Sequence, residues 1–150
     1  MSFWAKMSHF SHNWNGIRKF KKVLTIKQPW ATLIMQKDKR FEFRSWQTKY
    51  RGNLLIHAGK GIDKEAMKRL AKYIPKDMPT GKILGKVKLI DCIKMSPEFK
   101  EMLIKENKDI YTDSSFKENY GWQLEDVEVF KEPIEAKGKL SLWEYDLWEK

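Results

Sequence analysis

Between Lys37 and Arg51 the chain sets Lys37, Lys39, Arg40, Arg44, Lys49 and Arg51 among Phe41, Phe43, Trp46 and Tyr50, with one carboxylate, Glu42, in their midst. Cations hold phosphate and aromatic rings stack on bases. A carboxylate accepts hydrogen bonds from an exocyclic amine such as that of cytosine. The combination is a set able to read a nucleotide. The competing reading is a solvated basic face over a strand. Glu42 and Arg44 are two residues apart, so on a strand their side chains point the same way. With Lys39 in the turn before them, all three are expected to converge on one cleft.

Other chemistry has little support. His9 and His12 stand at i, i+3 with no third ligand near in sequence, and His57 is alone in an apolar stretch, so no metal site is expected. The one cysteine, Cys92, excludes an internal disulfide and cysteine-clustered metal sites, and its hydrophobic setting reads as inert core. Gly59-Lys60-Gly61 is too short for a phosphate loop or a dinucleotide fingerprint, so no cofactor is expected.

The charge distribution favours a polyanionic partner. Of 150 residues, 30 are Lys or Arg and 20 are Asp or Glu, a formal net charge of +10. Residues 1–60 hold thirteen of the cations against only Asp38 and Glu42, whereas residues 61–150 are close to neutral. Such asymmetry points to nucleic acid or an anionic surface. No apolar run is long enough to cross a membrane, and the first twenty residues lack the apolar core of a signal peptide, so the cytoplasm is the expected address. Seven tryptophans are too many for so small a core, and two or three are expected to be partly exposed in a cleft or interface.

Elements that could position these groups follow from periodicity. Phe3/Trp4, Met7, Phe10 and Trp14 recur at helical spacing, which predicts an N-terminal amphipathic helix. Residues 17–22 read as a basic connector and 23–27 as a strand. Pro29 opens a helix carrying Trp30, Leu33 and Ile34 to about Lys37. Residues 41–44 alternate as a half-buried strand, and 54–58 form a more apolar one that ends in the Gly59–Gly61 turn. Asp63 and Ser96 are expected helix caps. The first helix buries Met67, Leu70, Ala71 and Ile74; the second buries Phe99, Met102 and Leu103. A long strand runs over 83–93, with Gly85 at a bulge. Two short strands follow around Trp122 and Val127, and a last segment leads into Trp143. About six strands with interposed helices, in no regular βαβ order, suggest an α+β protein built on a small barrel. Residues 1–20 form a helical extension and 21–150 the domain.

The stretch Leu24-Thr25-Ile26-Lys27-Gln28-Pro29-Trp30-Ala31, then Leu33-Ile34, then Lys39-x-x-Glu42-x-Arg44, resembles the ASCH domain of the PUA-like superfamily, whose signature is G-x-K-x-x-E-x-R. The blocks continue with Ser45-Trp46, Tyr50-Arg51-Gly52, Leu55-Ile56-His57-Ala58, Trp122-x-Leu124-Glu125 and 137–144, so the resemblance covers about residues 23–147. It implies a PUA-like β-barrel of five or six strands flanked by helices, with the signature lining a cleft and RNA or a modified nucleoside as ligand. The binding residues it suggests are Lys27, Trp30, Lys39, Glu42, Arg44, Trp46, Lys49, Arg51 and Trp122. Lys37 stands at the leading glycine, so the turn there is expected to be looser. Some ASCH proteins deacetylate N4-acetylcytidine, and a ribonuclease role has been proposed for others. In the amidohydrolase branch the signature lysine works beside a threonine, and this chain has Glu42 in that place. Two readings follow: a binding module for RNA or a modified nucleoside, or a hydrolase with Lys39 and Glu42 as its acid–base pair. If Lys39 is a cleft-surface residue, its replacement by alanine leaves folding nearly intact.

Overall fold

The first strand begins well before the expected position. In the structure, a computed structural model that describes residues 17–112 and 117–149, β1 runs from Ile17 to Gln28 and absorbs the stretch read as a connector. Its first half pairs antiparallel with β6 (Leu142–Glu149). Its second half, where Val23, Leu24 and Ile26 are buried, pairs parallel with β3 (Gly52–Ile62). The expected N-terminal helix lies outside the described residues.

β3 continues antiparallel to β4 (Lys82–Lys94), β4 to β5 (Tyr120–Glu135), and β5 to the short β2 (Phe41–Arg44). The result is one six-stranded mixed sheet in the order β2-β5-β4-β3-β1-β6. Its ends do not pair, so the sheet is open and the expected barrel is not closed. β3 carries Gly59-Lys60-Gly61 within the strand rather than as a turn. The two short strands expected around Trp122 and Val127 are one 16-residue strand. Gly85 sits at register shifts on both sides of β4, as the bulge reading required. A Cβ there would collide with the Glu128 carbonyl of β5.

Three helices decorate the sheet. α1 (Trp30–Met35) buries Ala31 to Met35 against it, and Gln28 fixes its start by accepting from the Thr32 amide at 3.0 Å. α2 (Lys64–Arg69) is capped by Asp63, whose side chain accepts from the Ala66 amide, and a 3-10 turn follows at Ala71–Tyr73. Ala66 and Leu70 are its buried contacts, while Ala71 is exposed. α3 (Pro97–Glu106) is capped by Ser96. It buries Phe99 and Leu103 but leaves Met102 exposed. Phe41, Phe99 and Tyr111 pack edge-on between this helix and β2. Among the described residues no helix is long and apolar enough to cross a membrane.

Candidate functional site

The turn after α1 places the signature. Lys37 adopts φ +71°, donating to the Ile34 carbonyl at 3.0 Å, and the Asp38 amide reaches back to Leu33 at 3.0 Å. This pair of bonds is the Schellman ending that usually has glycine at the left-handed position. The chain therefore makes the tight glycine-type turn with a lysine, and the looser turn expected from that replacement does not occur. The turn delivers Lys39, whose own amide bonds Leu33 at 3.2 Å, directly ahead of β2.

Lys39, Glu42 and Arg44 meet. Lys39 Nζ donates to Glu42 Oε1 at 2.8 Å, and Arg44 Nη2 donates to Glu42 Oε2 at 2.9 Å. The same Arg44 nitrogen donates to the Thr25 carbonyl of β1 at 2.9 Å. The Lys39 side chain is 3% exposed, that of Glu42 10% and that of Arg44 24%, so this is no surface ion pair. The Lys39 ammonium lies 5.3 Å from the ring centre of Trp30 and 5.1 Å from that of Phe43. Trp30 is in turn fixed by its indole N–H donating to Asp63 at 3.0 Å.

Two cations share one carboxylate, and the cluster carries a net charge of +1. Burial pushes the Glu42 carboxyl up, but the charges and hydrogen bonds of Lys39 and Arg44 outweigh it and hold Glu42 below the ordinary carboxylate range. Burial lowers Lys39 below the usual lysine value; Glu42 opposes the shift and Arg44 adds to it. Losing a proton from Lys39 would leave a neutral Glu42–Arg44 pair, which burial favours. Removing Lys39 would disturb a buried charge network, so the expectation that alanine there leaves folding nearly intact fails.

The cluster lies along a cavity of about 750 Å³. Thr25 and Lys27 of β1, Trp30, Lys39, Glu42, Phe43 and Arg44 line it, together with groups from β3 and from the loops before β5 and β6. Sequence reasoning had not singled out Thr25, Phe43, Lys60, Asp63, Lys117 or Lys139 for the cleft. Two of these sit in glycine-flanked lysine blocks, Gly59-Lys60-Gly61 and Gly138-Lys139, and those glycines were the available signal.

The other expected binding residues lie elsewhere. Trp122 is fully buried, its indole N–H donating to the Trp46 carbonyl at 3.3 Å, and Trp46 packs edge-on against it at 4.8 Å. Lys49 and Arg51 are exposed on the segment between β2 and β3, where Arg51 donates to the Thr48 and Tyr50 carbonyls at 2.8 Å. His57 is buried; its Nε2 is 2.7 Å from the Ala136 carbonyl and its Nδ1 is 3.2 Å from the Thr25 hydroxyl. A carbonyl can only accept, so Nε2 carries the proton, Thr25 donates to Nδ1, and Trp143 donates to the Thr25 oxygen at 3.0 Å. This is the satisfied histidine the sequence implied. Among the described residues no cluster of three or more His, Cys, Asp or Glu groups could hold a metal. Cys92 is half-buried against the core rather than within it.

An open, mixed six-stranded sheet with a buried lysine–glutamate–arginine cluster beside a cavity defines a PUA-like domain. The ASCH domain family matches residues 24–136, and the chain belongs to that family. Activating signal cointegrator 1 from Homo sapiens is 35% identical over 134 residues, and the same protein from Mus musculus 36% over 140. Each match covers 82% of this chain but 22% of the relative, so the chain spans about a fifth of the length of these proteins. Among solved structures, the ASCH protein of Zymomonas mobilis superposes with a TM-score of 0.51 at 14% identity, over 77% of this chain and 73% of that one. A point variant of it gives 0.51 as well, over 78% and 76%. At that identity the likeness concerns the fold. The fold is one associated with RNA binding.

Proposed function

We propose that this chain is a nucleic-acid-binding ASCH module that holds an unpaired or modified base of RNA in the cavity between β1 and β2. The observation that carries the reading is the Lys39–Glu42–Arg44 cluster lying along an aromatic-walled cavity. A planar base can lie against Trp30 and Phe43, where stacking contributes about 1–3 kcal/mol. Each Glu42 oxygen already takes one cation and keeps capacity for another donor, such as an exocyclic amine. Arg44 and Lys39 beside it present donors for a ring nitrogen or carbonyl. Lys27 and Lys60 stand on the rim, suited to phosphate. Trp46 and Trp122 support the floor from the core side, and Lys49 and Arg51 are outlying phosphate contacts.

The test is calorimetric titration of the chain with single-stranded RNA and with a panel of modified nucleosides. Binding is expected to weaken about tenfold or more in W30A and R44A, and to fall with rising salt for RNA. Equal affinity of both variants and the parent would overturn the reading.

One observation favours a second reading, a hydrolase. A buried lysine held below its usual value is a candidate general base. A neutral Lys39 amine would take a proton from water as its oxygen bonds to the acyl carbon of an acylated base. That proton would pass to the departing base nitrogen as the C–N bond breaks, while Glu42 keeps Lys39 oriented. Turnover of N4-acetylcytidine by the parent, lost in K39R, would support it, because arginine does not give up its proton. Retained RNA affinity in K39R without turnover in the parent favours the binding module.

A further inference from the structure

A second cavity, of about 1010 Å³, adjoins the first, and the two share Thr25, Gly59, Lys60, Lys139 and Leu140 in their walls. Beyond the shared residues its wall carries Lys82 and Lys137, with Glu135 as its one carboxylate. Among the described residues Lys60, Lys82, Lys137 and Lys139 take part in no ion pair, whereas Lys22, Lys39, Lys72 and Lys86 each have a carboxylate partner. Four unpaired ammonium groups around one concavity repel one another and create a positive field that an anion would relieve.

The wall between the cavities is fixed. The loop joining β5 to β6 is held at Ala136 by the His57 N–H bond. Gly138 lies so close to the Thr25–His57 pair that a Cβ would stand 2.8 Å from the imidazole. This anchoring sets Lys137 and Lys139 on either side of Gly138. It also leaves Leu140, 92% exposed, in the wall common to both cavities.

We propose that the two cavities form one trough for a single strand of nucleic acid. The base sits in the first cavity, Lys60 and Lys139 hold the phosphodiester at the junction, and Lys82 and Lys137 hold a further phosphate in the second. Leu140 gives the sugar or base between them an apolar contact. This inference rests on the base-binding reading above and adds to it a ligand longer than one nucleotide. Phosphate is the matching chemistry because the second cavity offers ammonium groups and the Thr25 and Thr80 side chains, and no exposed aromatic ring.

The experiment compares a nucleoside monophosphate with a six-residue single-stranded RNA containing the same base, titrated into the full chain and into K82Q/K137Q. Glutamine is used because Lys82 faces Glu135 across the β4–β5 ladder, where a second carboxylate would destabilise the sheet. The parent is expected to bind the hexamer at least tenfold more tightly than the monophosphate. In the variant that gain should shrink about tenfold and the salt slope should fall by about 1.4, at roughly 0.7 per phosphate contact on a single strand. Monophosphate affinity and the melting temperature should stay unchanged. A parent that binds the hexamer while K82Q/K137Q binds it equally well overturns the trough and leaves the base-binding reading standing. A parent that binds neither probe overturns both. Equal binding of a duplex of the same length also overturns the trough, because a paired base cannot enter the first cavity.

Discussion

Glu42 joins two buried cations, and its removal should cost more than the removal of either cation's partner role alone. In K39M the cluster passes from a net charge of +1 to 0, and Glu42 keeps the Arg44 hydrogen bond at 2.9 Å. The loss is one charged hydrogen bond, about 1.5–3 kcal/mol, partly offset because a buried ammonium is no longer desolvated. In E42Q the cluster passes to +2, with both cations buried beside a neutral amide, which should cost about 3–5 kcal/mol. The double variant K39M/E42Q returns to +1 on the more exposed Arg44 alone and should be more stable than E42Q, with a coupling of about 1–3 kcal/mol. Urea unfolding at neutral pH measures all four proteins. The pH profile adds a check on sign. Glu42 is held below its unfolded value, so its contribution is complete above that value and is lost as pH falls through the folded one. Lys39 is also lowered, so the unfolded chain binds the extra proton between the folded and unfolded lysine values. Across that alkaline window the parent should gain stability with rising pH and K39M should not. Additive costs for the two substitutions, or K39M more damaging than E42Q, would refute the buried-cluster reasoning.

Lys37→Gly should raise stability by about 1 kcal/mol, read as an upward shift of the urea midpoint, because φ is +71° and only glycine takes that conformation freely. An unchanged midpoint would mean the turn is not left-handed. Trp122→Ala should cost about 3–5 kcal/mol by calorimetric melting, since the ring is fully buried beneath Trp46; a marginal loss would place the ring outside the core. Charge reversal at Lys49 and Arg51 should flatten the salt slope of RNA binding by about 0.7–1 per lost phosphate contact and leave nucleoside affinity unchanged; an unchanged slope would remove them from the interface. Arg44→Lys should keep the fold yet weaken nucleoside binding by titration, because one ammonium cannot reproduce the planar donor set that bonds Glu42 and Thr25 together; full retention would show that charge alone suffices there.

Local signals in the sequence read well where a single residue type dictates the geometry. Asp63 and Ser96 cap helices because their short side chains reach an amide three residues on, and both positions could be assigned from the chain alone. Gly85 marks the bulge because the Glu128 carbonyl leaves no room for a Cβ. The period of two placed Glu42 and Arg44 on one face. Long-range pairing was not legible. β1 begins at Ile17 because its polar first half is paired by β6, more than a hundred residues away in sequence, and no local pattern announces such a partner. The same holds for β5, whose charged second half stays in the sheet because β4 pairs it. Trp46 and Trp122 were grouped with the ligand residues on type, but an aromatic ring serves core and stack equally well. Only the fold decided that Trp30 faces a cavity and Trp122 does not.

The open sheet and the cavity have one cause. Laid flat, the order β2-β5-β4-β3-β1 would separate β2 from β1 by four strand spacings, about 19 Å. Arg44 on β2 nevertheless donates to the Thr25 carbonyl of β1 at 2.9 Å, so the sheet must curl until its second strand from one end approaches the first at the other. A backbone ladder between β2 and β1 would have closed the barrel and filled the gap. A long side chain spans it instead, and the seam stays wide enough for a cavity. The peptide groups along the seam need partners of another kind, and Thr25 meets this need by giving its carbonyl to Arg44. Arg44 must then be neutralised away from bulk water, which calls for Glu42. Glu42 in turn has a second oxygen to satisfy, which Lys39 does from the left-handed turn at Lys37. The signature spacing therefore follows from closing a curled sheet with side chains, and the recognition groups line the cavity because that is where the backbone ladder stops.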